Sequence, residues 1–210
     1  MKKLSTYLFL VLFSFQTSSL GDWKTLPLGA DVDIRDYEIE GMSIGDSLLD
    51  YFSEEEIKDN IVIDPILKSK KFIRIQIFSQ NFKVYDGVQF FYNRYDKKYK
   101  IHSITGYVDY DKNIDGCYRK QDELDKELSI IFKDAKRYEG SEKIIRTHQS
   151  TLKQIFYDFK SGSGVSISCY DSRSRKDSSD FLYVTLDSKE FMQWLSPGGC
   201  GYGSMCYNRY

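Results

Sequence analysis

Gly116-Cys117-Tyr118-Arg119-Lys120-Gln121-Asp122-Glu123-Leu124-Asp125-Lys126-Glu127-Leu128-Ser129-Ile130-Ile131-Phe132-Lys133-Asp134-Ala135 decides the fold class. Its apolar residues Leu124, Leu128, Ile131, Phe132 and Ala135 recur at spacings of four, three, one and three, which puts them on one stripe of an α-helix. Lys, Asp and Glu occupy the other faces, so the helix is expected to lie on an apolar surface and to stop near Gly140.

On both sides of this helix the period changes from helical to alternating. Upstream, residues 72–78 alternate Phe72, Arg74, Gln76, Phe78 against Ile73, Ile75, Ile77, which predicts a strand with its isoleucines inward. Residues 84–93, running through Asp86-Gly87, and 99–110, after the polar turn Arg94 to Lys98, complete a first meander. Downstream, a polar linker reaches Gln149, and strands are predicted over 152–159, 164–170 and 181–186. Ser161-Gly162-Ser163 turns the first of these into the second.

Shorter helices flank the meanders. Ile39-Glu40-Gly41-Met42-Ser43-Ile44-Gly45-Asp46 reads as a glycine-punctuated approach to a helix capped by Asp46 or Ser47, with Leu48, Leu49 and Phe52 behind it. Ser53 and Glu56 have capping-box spacing for a second short helix ending near Asn60. Asp187 with Glu190 offers the same device for a last helix through Leu195, which Pro197-Gly198 stops. The expected class is therefore α+β, amphipathic helices packed on an antiparallel sheet in the order helix, three strands, helix, three strands, helix.

The chain opens with Lys2 and Lys3, a mostly apolar run from Leu4 to Phe15 and Ser19-Leu20-Gly21, the pattern of a secretory signal peptide cleaved after Gly21. The apolar run fades at Gln16 to Ser19, short of the roughly 20 residues that cross a bilayer. Without residues 1–21 the chain holds 28 basic and 31 acidic residues, a formal charge of −3 with both signs mixed along it. That balance argues against nucleic acid as a partner. The expected organisation is signal peptide 1–21, one α+β domain 22–195 with sub-units at about 39–110 and 116–195, and a Gly/Cys/Tyr-rich tail 196–210.

Four cysteines, Cys117, Cys169, Cys200 and Cys206, follow the leader, and export to an oxidising compartment favours two disulfides. Of the three connectivities, Cys117 with Cys169 and Cys200 with Cys206 is preferred, because glycines surround the second pair and permit a small ring. On the chain-entropy model the longer loop contributes about 4 kcal/mol and the shorter about 2 kcal/mol.

The segment Glu40-Gly41-Met42-Ser43-Ile44-Gly45-Asp46-Ser47-Leu48-Leu49, the helix opening at Cys117, and Leu182-Tyr183-Val184 leading into Ser188-Lys189-Glu190 resemble a family of short exported bacterial proteins of streamlined genomes with no assigned activity. The resemblance spans the chain after the leader as far as Pro197. The helix-then-meander order is also similar, at the level of architecture, to small envelope modules of the outer-membrane-assembly lipoprotein and β-lactamase-inhibitor type. Such modules act by binding, which is what the resemblance implies here.

Asp111-Lys112-Asn113-Ile114-Asp115-Gly116 fits the opening of a calcium loop, with oxygen ligands at positions one, three and five, Gly at six and Asp122 at position twelve. Against it stand the cation Arg119 at position nine, an Asp where bidentate ligation prefers Glu, and a strand rather than a helix before it. A solvated turn whose Asp115 caps the helix is the plainer alternative. His102 and His148 lie in no nucleophile motif, and Gly162-Ser163-Gly164 lacks the strand-to-helix context of a nucleophile elbow.

A carboxylate pair is available for hydrolysis of envelope material, but 31 acids give no way to select two. The 17 Tyr and 14 Phe include Tyr92, Tyr95, Tyr99, Tyr107 and Tyr110 around the first meander and Tyr202, Tyr207 and Tyr210 in the tail. They are candidates for an aromatic contact surface. The expected function is thus a non-enzymatic, periplasmic or secreted binding module for an envelope protein or glycan, needing no cofactor. An envelope hydrolase and a calcium module through residues 111–122 are the alternatives.

Overall fold

The structure, a computed structural model, describes residues 33–62, 71–144, 150–172 and 178–195. Residues 1–21, where a leader is expected, His148 and the tail with Cys200 and Cys206 lie outside the described residues.

After a 3-10 turn (Ile34–Asp36) comes a hairpin, where the sequence points to the approach of a helix. β1 (Glu38–Ile39) pairs with β2 (Met42–Ser43) across Glu40 and Gly41, whose φ values of 54° and 79° are both left-handed. Two such residues give the tight turn whose twist matches antiparallel strands. A 3-10 turn (Leu48–Asp50) follows, capped by Ser47, in place of a full helix. Then α1 (Glu54–Asp59) forms as its capping spacing predicts, with Ser53 Oγ accepting from the Glu56 amide at 3.2 Å.

The remaining strands make one antiparallel sheet. They are β3 (Ile61–Val62), β4 (Phe72–Ile77), β5 (Gly87–Asn93), β6 (Ile101–Asp109), β7 (Lys136–Ile144), β8 (Ser150–Asp158), β9 (Gly164–Asp171) and β10 (Phe181–Asp187). α2 (Ile114–Ile131) separates β6 from β7, and α3 (Lys189–Leu195) ends the described chain. The spatial order is β3-β4-β5-β6-β10-β9-β8-β7. Each helix α1 and α2 thus precedes a four-stranded meander, and the last strands of the two meanders, β6 and β10, pair at the centre.

The mixed α+β class holds, but the strand count and order differ from the sequence reading. β7 occupies the segment read as the end of the helix and a linker, and Gly140 sits inside it. The helix already ends at Ile131 with Phe132 as its cap, so Ala135 falls beyond it. Among the described residues β7 is an edge strand paired with β8 alone, and its residues 136, 137 and 139–141 are exposed. Edge strands carry charge in place of alternation, which hides them from a pattern search. At the last helix Ser188, not Asp187, supplies the cap: its Oγ accepts from the Phe191 amide at 3.2 Å, because Asp187 is still paired in β10.

Directly paired residues share a face, so the registers divide the sheet into two sides. Val88, Phe90, Ile104, Val108, Leu182, Val184, Leu186, Val165 and Ile167 fall on one side and are buried beneath α1, α2 and the N-terminal hairpin. Leu124, Leu128 and Phe132 of α2 close this core, each buried leucine contributing about 2 kcal/mol relative to exposure. Ile75 and Ile77 join it as their alternation predicts. Phe72 is also buried, but on the far side, where Phe191 and Trp194 of α3 meet it at ring distances of 5.3 and 5.1 Å.

Covalent and polar links fix α2 to the sheet. Cys117 and Cys169 form the disulfide, with Cα atoms 6.0 Å apart and both residues fully buried. Buried Gln121 donates to the carbonyls of Lys153 and Ile167 at 3.0 and 2.9 Å. Asp125 takes a two-armed hydrogen bond from Arg137 of β7, at 2.8 and 2.7 Å, and one from the Tyr157 hydroxyl. Burial pushes the Asp125 pKa up, yet these hydrogen bonds together hold it below the usual value.

Candidate binding face

On the far side of the sheet, away from α1 and α2, the residues are polar and aromatic. Gln76, Gln89, Thr105 and Thr185 lie side by side across β4, β5, β6 and β10, and the two threonine hydroxyls are 3.0 Å apart at the junction of the meanders. Towards the end of β6, Tyr107 pairs with Gly87 on one flank and Tyr183 on the other. A Cβ at Gly87 would sit 2.1 Å from the Tyr107 hydroxyl, so this glycine is what lets the ring lie across its neighbour. The same device recurs on the core side, where the Tyr85 ring lies over Gly106.

Tyr107 is the centre of an aromatic cluster. Phe78 and Phe181 meet it edge-on at 5.7 and 6.0 Å, Tyr183 lies tilted against it at 6.2 Å, and Gln76 donates to its hydroxyl at 3.1 Å. Burial raises the Tyr107 and Tyr183 pKa values, so both hydroxyls stay neutral at physiological pH. Phe78 just follows β4 and has 67% of its surface exposed, an unusual position for a large apolar ring. Phe181, Tyr183, Gln76 and Gln89 are half-buried around it. The cluster offers ring faces and edges together with amide donors and acceptors, a set suited to contact with a partner.

The five tyrosines grouped by sequence around the first meander do not form one surface. Tyr92 is buried in the core against Tyr99 at 5.0 Å, Tyr95 stands out at the β5–β6 turn, Tyr110 is half-buried, and only Tyr107 belongs to the cluster. No local pattern marks Phe78, Phe181 and Tyr183 as its partners: the register of β6 against β10 brings Phe181 and Tyr183 to it, and that of β4 and β5 against β6 brings Phe78.

The calcium-loop residues are distributed differently from a twelve-residue loop. The helix begins at Ile114, Asn113 is its cap and accepts from the Gly116 amide at 3.0 Å, and Asp115 lies in its first turn. Asp111 is left-handed with φ 52°, and its carbonyl accepts from the Asp180 amide. Asp122 lies two turns along α2, 3.5 Å from the Lys153 ammonium. Among the described residues, no group of three or more His, Cys, Asp and Glu side chains is placed to hold a metal ion.

His102 sits at the corner covered by α3. Ser188 Oγ and Glu190 Oε2 approach the same ring nitrogen, Nδ1, at 3.4 and 3.5 Å. A hydrolytic relay needs nucleophile and orienting acid on opposite nitrogens, and here the serine oxygen also serves as the helix cap. Burial lowers the His102 pKa, with Glu190 opposing that shift. A shallow groove of about 380 Å³ lies between α2 and the β7–β8 edge, lined by Tyr118, Glu139, Gly140, Ser141 and Lys153. No helix of the described residues is long and apolar enough to cross a membrane. No protein-family model, no curated protein and no solved structure matches the chain.

Proposed function

We propose that this chain is an exported, envelope-associated binding module that contacts an envelope protein or glycan through the Phe78–Tyr107–Phe181–Tyr183 cluster. The single observation behind the reading is the exposure of Phe78 on an otherwise packed aromatic group flanked by glutamine amides. Burying such rings is the usual source of energy at the centre of a contact surface. The signal-like pattern of residues 1–21 and the Cys117–Cys169 disulfide support export.

Phe78→Ala combined with Gln76→Ala tests it. Affinity capture from the native envelope fraction is compared for wild type and variant, with thermal unfolding as the control for folding. A partner retained by wild type and lost by an equally stable variant supports the reading. Equal capture by both overturns it. Release of soluble fragments from purified envelope glycan, unchanged by the Phe78 variant, would favour hydrolysis at another site.

A further inference from the structure

The β5–β6 turn carries Asn93-Arg94-Tyr95-Asp96-Lys97-Lys98-Tyr99-Lys100, four cations against one acid. That acid is spent on the backbone: Asp96 accepts from the amides of Lys98 at 2.9 Å and Lys100 at 3.3 Å, and Asn93 accepts from the Tyr95 amide at 3.1 Å. The backbone is closed further by Asp96 N to Asn93 O at 2.9 Å and Tyr99 N to Asp96 O at 3.1 Å, while Ser47 Oγ donates to the Lys98 carbonyl at 2.6 Å. The turn is therefore built rigidly, by groups other than its cations.

Those cations all point to solvent. Arg94, Lys97, Lys98 and Lys100 are exposed, and none of them belongs to an ion pair among the described residues. Tyr95 between them is 80% exposed, the most exposed of the large apolar or aromatic side chains described. Two acids of neighbouring elements are already engaged: Asp46 accepts from the Ser43 amide at 2.9 Å and the Tyr51 hydroxyl at 2.7 Å, and Glu54 is held by Lys58 at 2.7 Å and by the Tyr99 hydroxyl at 2.9 Å, while Asp50 is exposed. Beyond Glu54 α1 carries exposed Glu55 and Glu56, so attraction to an anionic surface is confined to the tip of the turn.

We infer that this turn is a membrane-docking device that lays Tyr95 at the interface of an anionic lipid surface with Arg94, Lys97, Lys98 and Lys100 against its headgroups. An amphipathic ring and long cationic side chains are the residues that settle at that depth. In a chain whose total charge is negative, a local cluster of this kind fixes orientation as well as attraction. The seven residues of β5 separate the turn from Gly87 and the Tyr107 cluster by about 20 Å, so docking at one end of the hairpin leaves the proposed binding face clear. The inference does not depend on that face having a partner.

Protein purified after export is sedimented with vesicles of phosphatidylcholine alone and of phosphatidylcholine mixed with phosphatidylglycerol. Binding is expected only to the mixed vesicles, reversed by salt, and weakened by about fivefold for each cation removed from the turn. Lys97→Glu with Lys98→Glu should abolish it, and Tyr95→Ala should weaken it severalfold, with thermal unfolding unchanged because the turn's bonds are made by Asn93, Asp96 and the backbone. Lys126→Glu with Lys133→Glu makes the same change in net charge on exposed residues of α2 and its end, and should leave binding intact. No partition into the mixed vesicles, or equal loss in the two double variants, overturns the inference. So does binding to a soluble polyanion without binding to vesicles.

Discussion

The two halves of the sheet share one plan, a helix followed by a four-stranded meander, yet they hold the helix in different ways. In the second half an 18-residue helix is fixed by a disulfide, a buried glutamine and an ion pair. In the first half a six-residue helix and a short hairpin bury only the apolar side chains Ile57, Ile39 and Met42, and polar side chains on backbone amides add to their hold. Glu40 is the clearest case: its carboxylate accepts from the amides of Lys83, Val84 and Tyr85 at 2.9, 2.8 and 3.0 Å, tying the hairpin tip to the loop before β5. A long amphipathic stripe brings enough apolar area to dock by itself, and a covalent link then restricts the unfolded chain. A six-residue helix has no such stripe and must be placed by its connections.

Breaking the covalent link should have the largest effect. Cys117→Ala with Cys169→Ala releases a crosslink spanning 52 residues and should cost about 4 kcal/mol in urea unfolding. Hydrogen exchange in that variant should rise first in α2, β8 and β9, while β4 to β6 keep their protection; uniform loss would mean that the halves are not separately held. Glu40→Ala strands three amides and should cost about 2 to 3 kcal/mol, with faster exchange confined to residues 38–43 and 83–85. Retention of full stability would show that water replaces the carboxylate and that the first half does not rest on it.

Ser53→Ala removes the cap of α1 and should cost about 1 kcal/mol, measured by the same denaturant midpoint. The smallest effect is expected from pH. The folded pKa of Asp125 is depressed, so its contribution to stability is complete above its unfolded value of about 4 and is lost as pH falls through the folded value. Arg137→Met should shrink the stability difference between about pH 7 and about pH 3. Identical pH dependence in the variant would remove the ion pair from the second half's account.

What could be read from the sequence follows the strength of each local pattern. α2, β4 and β10 carry clear periods because one side of each is buried, whereas β8 and β9, the latter buried on both faces, stand out as β-branched and aromatic runs between turn signals. The Cys117–Cys169 pairing was readable differently, from the glycines around Cys200 and Cys206 that favour a separate small ring. β7 was not, being charged on a free edge, and neither was the hairpin at Glu40, because a glutamate in the left-handed region announces nothing locally. Of the candidate face, only Tyr107 was singled out. Phe78, Phe181 and Tyr183 join it through strand registers that no local pattern encodes.

The junction of β6 with β10 also sets a schedule for assembly. Thr105 and Thr185 meet at the middle of the sheet although 80 residues separate them in the chain. Until β10 is present to pair with it, β6 is the open margin of a half-built sheet, with Ile104 and Val108 on it. A growing chain therefore passes through a sticky interval that lasts as long as the second half takes to appear. Slow delivery or early truncation before Phe181 exposes that margin to other chains, and aggregation of such fragments is the hazard that this topology carries.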